Sequence, residues 1–260
     1  MFLEQSMFRS KAYSAATSTG EVIDFHSIKR KGKNNSALTK TVATIADNAV
    51  NDTVIGKWLP KAAERYKISS NLEDYVAIPV VIMPSDLPNR NGIAFPLKEL
   101  TAFNPNPYVK QLGYETWSGS PCFEEHQNED YTKAKGVVFS SALVKIPGSV
   151  GNLYKVVCLC GFDRTKDEDL YNQIKSGKRQ SYSMGAWCED YECSICGKKH
   201  SQGTCEHASV NNPQFQLFET EQGPKLGYYN ALGICGFEVS SVADPAYISA
   251  QNDFLIKLGN

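Results

Sequence analysis

Four of the eight cysteines in this 260-residue chain lie between Cys188 and Cys205. A Cys-x2-Cys spacing within that segment brings two thiolates out of one tight turn, which Gly197 helps to close, and a Cys-x-His pair follows. Three sulfurs and one imidazole form a closed tetrahedral ligand set, so the segment predicts a structural rather than a catalytic zinc site. The predicted ligands are Cys193, Cys196, Cys205 and His207. Cys188 and His200 are spare candidates, and unligated thiols in a surface loop are the alternative.

Ser183 and His126 have the side chains needed for nucleophilic catalysis. Ser183 lies in the segment QSYSMGA, and His126 lies in the polar segment CFEEHQN. A serine hydroxyl is a poor nucleophile until a neighbouring base takes its proton, and an imidazole with a pKa near 6.5 suits that role. Gly185 would leave backbone N–H groups open to an oxyanion. Taken singly, each residue is more typical of an ordinary strand serine or a surface histidine.

A third catalytic residue would orient the imidazole and stabilise its charged form. The segment FEVSSVADPA offers two candidates, Glu238 and Asp244. Strand alternation predicts that Glu238 lies on the face opposite Phe237 and Val239, where a carboxylate is ordinarily exposed to solvent. The sequence leaves the choice between the two carboxylates open.

The elements that must position these residues are mostly strands. Residues 1–35 are polar and predict a mobile arm. A helical pattern covers residues 36–66, with Ser36 as its N-cap and with Pro60 starting a second helix. Apolar, β-rich runs predict strands at 75–83, 136–146, 153–162, 180–187 and 233–242.

Two local features refine this pattern. Pro79 suggests an edge or a bulge in the first predicted strand. A capping box of Thr165 and Glu168 predicts a short helix that Gly177 ends. The result is a mainly β core with peripheral helices.

Composition excludes several classes of protein. Apolar residues make up 42% of the chain, enough to build a core and too many for a charged disordered chain. The net charge is −1, whereas proteins that bind nucleic acid usually carry an excess of basic residues. No apolar run approaches the roughly 18 residues of a membrane span, and the first residues lack the apolar stretch of a secretory signal, so we expect a soluble cytoplasmic protein.

Several segments, taken in their order, resemble the head maturation (prohead) proteases of tailed bacteriophages. The resemblance is greatest to the prohead core proteases of the T-even and jumbo-phage type, and it covers about residues 74–250. The segments are SDLPNRNG, Leu97 to Leu100, GSPCFEEHQN, KGVVFSSALV, SYSMGAW, ECSICG with CEH, and FEVSSVADPAY. Each is short, and their joint occurrence in this order carries the resemblance.

The resemblance implies an α+β protein with the herpesvirus assemblin-like fold, a mainly antiparallel β-barrel core with peripheral helices. Residues 74–250 would form the protease domain, with the zinc knuckle inserted at 188–210. Residues 1–73 would be an N-terminal arm and helices, serving as a propeptide or as a scaffold-docking segment. Residues 251–260 would be a tail.

The resemblance also implies a serine endopeptidase that cleaves scaffold or core proteins and the major capsid protein, and that processes itself. His126 matches the histidine of the family's "EH" element and Ser183 the serine of its "SMG" element. Herpesvirus relatives use a second histidine as the third residue. No histidine lies in the segment FEVSSVADPA here, so Glu238 fits best as the substitute, and Asp244 is the second candidate.

The expected location is the host cytoplasm, inside the assembling prohead, with retention in the virion and a homo-oligomeric state left open. No membrane partner and no specific nucleic acid are expected. One alternative is a catalytically inactive structural capsid or core protein with the same fold and zinc knuckle. Another is a zinc-knuckle module that binds nucleic acid, against which the net charge and the lack of a basic-aromatic stripe count.

Overall fold

The computed structural model describes residues 23–24, 54–146, 148–149, 151, 153–203, 205–207 and 215–250. The described chain is α+β, with mostly strands and few helices. The helices are α1 (Val54–Tyr66), α2 (Leu97–Leu100) and α3 (Glu168–Lys175). The strands are β1 (Ile23–Asp24), β2 (Tyr75–Pro84), β3 (Ile93–Ala94), β4 (Pro121–Glu124), β5 (Gly136–Lys145), β6 (Tyr154–Asp163), β7 (Tyr182–Trp187), β8 (Asp190–Cys193), β9 (Leu217–Thr220), β10 (Gly223–Leu226), β11 (Tyr229–Leu232) and β12 (Cys235–Ser241). Within these residues, no helix combines the length and apolar character needed to cross a bilayer.

Seven strands form one curled, half-barrel sheet in the order β1-β2-β6-β5-β4-β12-β7. Neighbouring strands are antiparallel except β12 and β4, which run parallel. The parallel pair arises because β12 enters the sheet between two strands that precede it in the chain. As a result, β4, β12 and β7 lie side by side at one end of the sheet.

Both faces of the main sheet are covered. Val76, Ile78 and Val80 of β2 belong to one apolar cluster, while Tyr75 and Ala77 belong to another. This alternation follows from the period of two along a strand and explains why β2 is an almost continuous apolar run. The second cluster also contains the apolar face of α1, namely Trp58, Leu59, Ala62, Ala63 and Tyr66.

Two smaller sheets lie outside the main one. β3, β11 and β8 form a three-stranded sheet in which β11 is central, and β9 and β10 form a hairpin. Tyr229 of β11 pairs with Ile93 on one side and Cys193 on the other. The small sheet therefore joins the cysteine-rich segment to the chain that follows β2.

The predicted strands are all present, and the turn after the second predicted strand joins β5 to β6 as an antiparallel pair. Pro79 lies inside β2 and pairs with Leu159 of β6, whereas the described residues of β1 pair with Ala77 and Val76. The bulge in β2 lies between Val81 and Met83 rather than at Pro79.

Three local predictions are wrong. Pro60 lies inside α1 and does not start a helix; burial of the apolar face holds α1 together although Pro60 donates no hydrogen bond. Asp167, rather than Thr165, caps α3, because the Thr165 hydroxyl is bonded to Asp163. Residues 23–24 of the predicted arm pair with β2 as β1. Ser36 and residues 36–53 lie outside the described residues.

Gly136 marks the closest approach of β5 and β6. A Cβ built there would lie 1.9 Å from the Gly161 carbonyl oxygen, a backbone atom that cannot move aside. We expect Gly136→Ala to lower the free energy of unfolding by about 1–3 kcal/mol, the usual cost of overpacking. Urea unfolding would measure the change, with Lys145→Ala at the exposed end of the same strand as control. An unchanged unfolding midpoint in Gly136→Ala would contradict the close approach.

Candidate active site and metal centre

Three adjacent strands deliver the residues predicted to act together. His126 follows β4, Glu238 lies in β12 and Ser183 lies in β7. Ser240 of β12 pairs directly with Ser183, and Glu238 pairs with Gly185. Opposed residues of an antiparallel pair point to the same face, so Ser183, Glu238 and Ser240 share one face of the sheet.

The imidazole of His126 contacts the carboxylate of Glu238. His126 Nδ1 lies 2.8 Å from Glu238 Oε1, although 112 positions separate the two residues in sequence. An ionised carboxylate only accepts hydrogen bonds, so with Glu238 in that form Nδ1 would carry the proton and Nε2 would be left as the free base. The imidazole is partly exposed, whereas the Glu238 side chain is fully buried.

This contact raises the pKa of His126 above its ordinary value. The hydrogen bond from Nδ1 to Glu238 is the main cause, and partial burial acts in the opposite direction. The contribution of the pair to stability is therefore fully present below the unfolded-state pKa of about 6.5. It is lost as the pH rises through the higher folded-state pKa.

The loop that carries His126 has an unusual backbone. Glu125 and His126 have φ angles of 47° and 56°, in the left-handed region that costs a non-glycine residue roughly 1–2 kcal/mol. Hydrogen bonds to Glu125 hold this conformation. Its N–H donates to the Ser241 carbonyl at 2.9 Å, and its carboxylate accepts from the Ala243 N–H at 3.0 Å.

Arg179 fixes the same loop from the other side. Its Nη2 lies 2.5 Å from the Glu124 carboxylate and 3.1 Å from that of Glu125. Arg179 stands four positions before Ser183, just ahead of β7. It therefore connects the segment that leads into the serine strand with the loop that carries the histidine.

Ser183 is buried on the edge strand of the main sheet, with 7% of its surface exposed. It lines a cavity of about 620 Å³ together with His126, Gly185, Tyr191 and Asp244. Within the described residues, no hydrogen bond joins the Ser183 hydroxyl to the imidazole. The structure thus places the predicted nucleophile and base on one cavity without a direct bond between them.

Gly185 has a packing role in addition to the one that the sequence suggests. A Cβ there would lie 2.4 Å from the Phe237 ring and 2.8 Å from Glu238 Oε1. A β-bulge in β12 between Gly236 and Glu238 breaks the strand alternation. Phe237 therefore does not lie opposite Glu238 as predicted, and both side chains approach Gly185.

Glu238, rather than Asp244, contacts the imidazole. Asp244 is exposed at the cavity and pairs with Arg90, which lowers the pKa of that carboxyl. The ordinary interpretation of Glu238 as an exposed strand residue is wrong, because its side chain is fully buried and its carboxylate bonds to His126 and Ser240. No local sequence signal distinguishes the two carboxylates.

The predicted metal ligands come together. The side-chain ligand atoms of these four residues all lie within 4.8 Å of one another. They are Cys193, Cys196, Cys205 and His207. The cluster could therefore hold a metal ion such as zinc. The spare candidates do not belong to it, and the His200 ring instead packs edge-on against Tyr229.

The surroundings of the cluster are compatible with a bound cation. Cys193 ends β8, and Gly197 has a φ angle of 70° in the turn between the sulfur ligands. His207 Nδ1 is buried and has no hydrogen-bond partner among the described residues, as expected for a nitrogen that binds a metal ion. Burial raises the pKa of the Cys193 thiol to about 11, so a bound cation would be needed to keep it a thiolate at neutral pH.

Comparison with known proteins identifies no family for this chain. The chain matches no protein-family model, no curated protein and no solved structure. The two clusters therefore have to be interpreted from their own geometry and from the motifs in the sequence.

Sequence reasoning missed two residues of the site. Arg179 and Ser240 both bond to carboxylates there, at Glu124 and Glu238 respectively. Ser240 stands two positions after Glu238, and this spacing places both on one face of β12, which is a usable signal. Arg179 acts across 55 positions of sequence and has no comparable signal.

The His126–Glu238 contact predicts a change in titration. We expect Glu238→Gln to lower the pKa of His126, because an amide carries no charge to stabilise the imidazolium. Nuclear magnetic resonance titration of the imidazole signals measures this, with His126→Gln to assign them. Asp244→Asn is the control and should leave the pKa of His126 unchanged; an equal shift in both variants would contradict the assignment of Glu238.

Proposed function

We propose that the chain is a serine endopeptidase in which Ser183 is the nucleophile, His126 the general base and Glu238 the residue that orients the base. The observation that carries this proposal is the bond from His126 Nδ1 to the buried Glu238, beside a cavity that Ser183 also lines. This bond leaves Nε2 free to take a proton, as serine hydrolysis requires. The order of motifs in the sequence supports the same reaction class.

In the proposed reaction, the Ser183 Oγ attacks the carbonyl carbon of the scissile peptide while its proton passes to His126 Nε2. The C–N bond then breaks, and the imidazolium gives that proton to the leaving amine. Water hydrolyses the acyl-enzyme with the same base. Glu238 stays ionised throughout and stabilises the imidazolium.

The substrates and setting follow from the motif resemblance. We assign the curled sheet to the herpesvirus assemblin-like fold, and the substrates to phage scaffold or core proteins and the major capsid protein in the prohead. Self-processing would remove part of residues 1–73 and leave α1, whose apolar face belongs to the second apolar cluster. Co-expression with candidate scaffold and capsid proteins, followed by mass spectrometry of the fragments, tests this assignment.

We further propose that the cysteine-histidine cluster holds a structural zinc ion that braces one wall of the cavity. Cys193 ends β8, and β8 pairs with β11, which pairs with β3. Tyr191 of β8 and Ile93 of β3 both line the cavity. Four protein ligands leave no open coordination position, so the metal would act on folding rather than on chemistry.

The competing proposal is a structural capsid or core protein that has the same fold and no activity. The observation in its favour is that no hydrogen bond joins Ser183 to His126 among the described residues. Catalytic hydrogen bonds are often long before substrate binds, so this geometry alone does not decide between the two proposals.

Fluorophosphonate labelling separates them. We expect the wild-type protein to be labelled at Ser183, and Ser183→Ala to lose both labelling and cleavage of scaffold while unfolding at the same urea concentration. Ser181→Ala, two positions earlier, is the matched control and should behave as wild type. Absence of labelling in a folded wild-type protein would support the structural alternative.

Metal analysis tests the zinc proposal. We expect one zinc ion per chain, and we expect Cys205→Ser to lower both the zinc content and the unfolding midpoint. His200→Gln, which lies in the same segment outside the cluster, should keep its zinc. A metal-free protein whose stability does not change when a chelator is added would contradict the proposal.

A further inference from the structure

A second hydroxyl lies beside the candidate active site. Ser240 is fully buried, and its Oγ lies 2.5 Å from Glu238 Oε2. The other carboxylate oxygen, Oε1, accepts from His126. Each oxygen of the buried carboxylate thus has its own donor.

The backbone holds Ser240 in place from both sides. Ser240 pairs with Ser183 of β7 and with Phe123 of β4, so its strand is fixed between two neighbours. A hydroxyl on such a strand is rigid, and its bond to Oε2 restricts rotation of the carboxylate. Oε1 is therefore kept directed at the imidazole.

The same bond gives a donor to a carboxylate that water does not reach. A buried carboxylate without enough donors is costly, and hydrogen bonds to charged groups contribute about 1.5–3 kcal/mol. Among the described side chains, Ser240 and His126 supply the donors that Glu238 receives. Loss of Ser240 would leave the imidazole as the remaining side-chain donor.

We propose that Ser240 is a positioning residue that holds the Glu238 carboxylate in the orientation in which it contacts His126. This inference rests on the proposed serine hydrolase function. In this role, Ser240 does not contact the substrate and acts through Glu238.

The expected effect has a definite sign. Ser240 stabilises the net negative, unprotonated form of the His126–Glu238 pair, so its removal raises the proton affinity of the pair. The acid limb of the pH–rate profile should therefore move to higher pH. Other titratable or charged groups around the pair lie on β4, in the histidine loop, ahead of β7 and on the shared cavity. They are Cys122, Glu124, Glu125, Arg179, Asp244 and Arg90, and the variants leave all of them in place.

The test compares two adjacent buried serines. Ser241 is as buried as Ser240, but its hydroxyl has no hydrogen-bond partner among the described residues. We would measure the second-order rate of fluorophosphonate labelling at Ser183 from about pH 5 to about pH 8 for Ser240→Ala and Ser241→Ala. Ser240→Ala should be slower by about 10- to 100-fold, with its acid limb shifted upward, and Ser241→Ala should keep the wild-type profile.

A double-mutant cycle separates positioning from general damage. In the Glu238→Gln background, Ser240→Ala should cause little further loss of labelling rate, because the carboxylate that it positions is already gone. Additive losses would overturn the proposal. If Ser240→Ala does not fold, Ser240→Cys fills the same space with a weaker donor and should give an intermediate profile.

The outcomes distinguish this inference from the proposed function. A labelled wild type with an unshifted Ser240→Ala profile would overturn the role of Ser240 alone. A folded wild-type protein that is not labelled would contradict the proposed hydrolase function. The NMR titration of His126 would then decide on Ser240 independently, because Ser240→Ala should raise the pKa of His126 and an unchanged value would overturn the role.

Discussion

The carboxylate of Glu238 is removed from water, and much of the surrounding structure follows from that constraint. A buried negative charge is tolerated only with donors close by, and His126 and Ser240 supply them. To bring these donors together, β12 must lie between the strand that leads to His126 and the strand that carries Ser183. The same constraint excludes a side chain at Gly185, where the carboxylate and the Phe237 ring converge.

The two walls of the cavity are stabilised by different forces. On the side of Ser183, the wall is part of a seven-stranded sheet with apolar clusters on both faces. On the side of Tyr191, the wall is a small sheet of two- and four-residue strands. Strands this short bury little surface, so a cation held by the cysteine-histidine cluster would supply what packing does not.

Strong local signals in the sequence were enough for much of the fold. Apolar runs located β2, β5, β6, β7 and β12, and the spacing of cysteines located the cysteine-histidine cluster. Features that depend on residues far away in the sequence could not be predicted. Strand alternation suggested an exposed Glu238, because nothing near it in sequence shows that it is buried and contacts His126, 112 positions away. The bond from Arg179 to Glu124 and the capping of α3 by Asp167 likewise depend on which of several similar polar residues is available to form the hydrogen bond.

The insertion of β12 between β4 and β7 also sets an order of events as the chain folds. The pairs β2–β6 and β5–β6 can form from segments that precede β12, whereas the parallel β4–β12 pair closes a loop of more than a hundred residues. Contacts of such long range form slowly, because the entropy of closing the loop opposes them until neighbouring pairs are in place. We therefore expect the histidine and its carboxylate to meet late in folding, and a nascent chain that ends before Glu238 lacks the pair altogether.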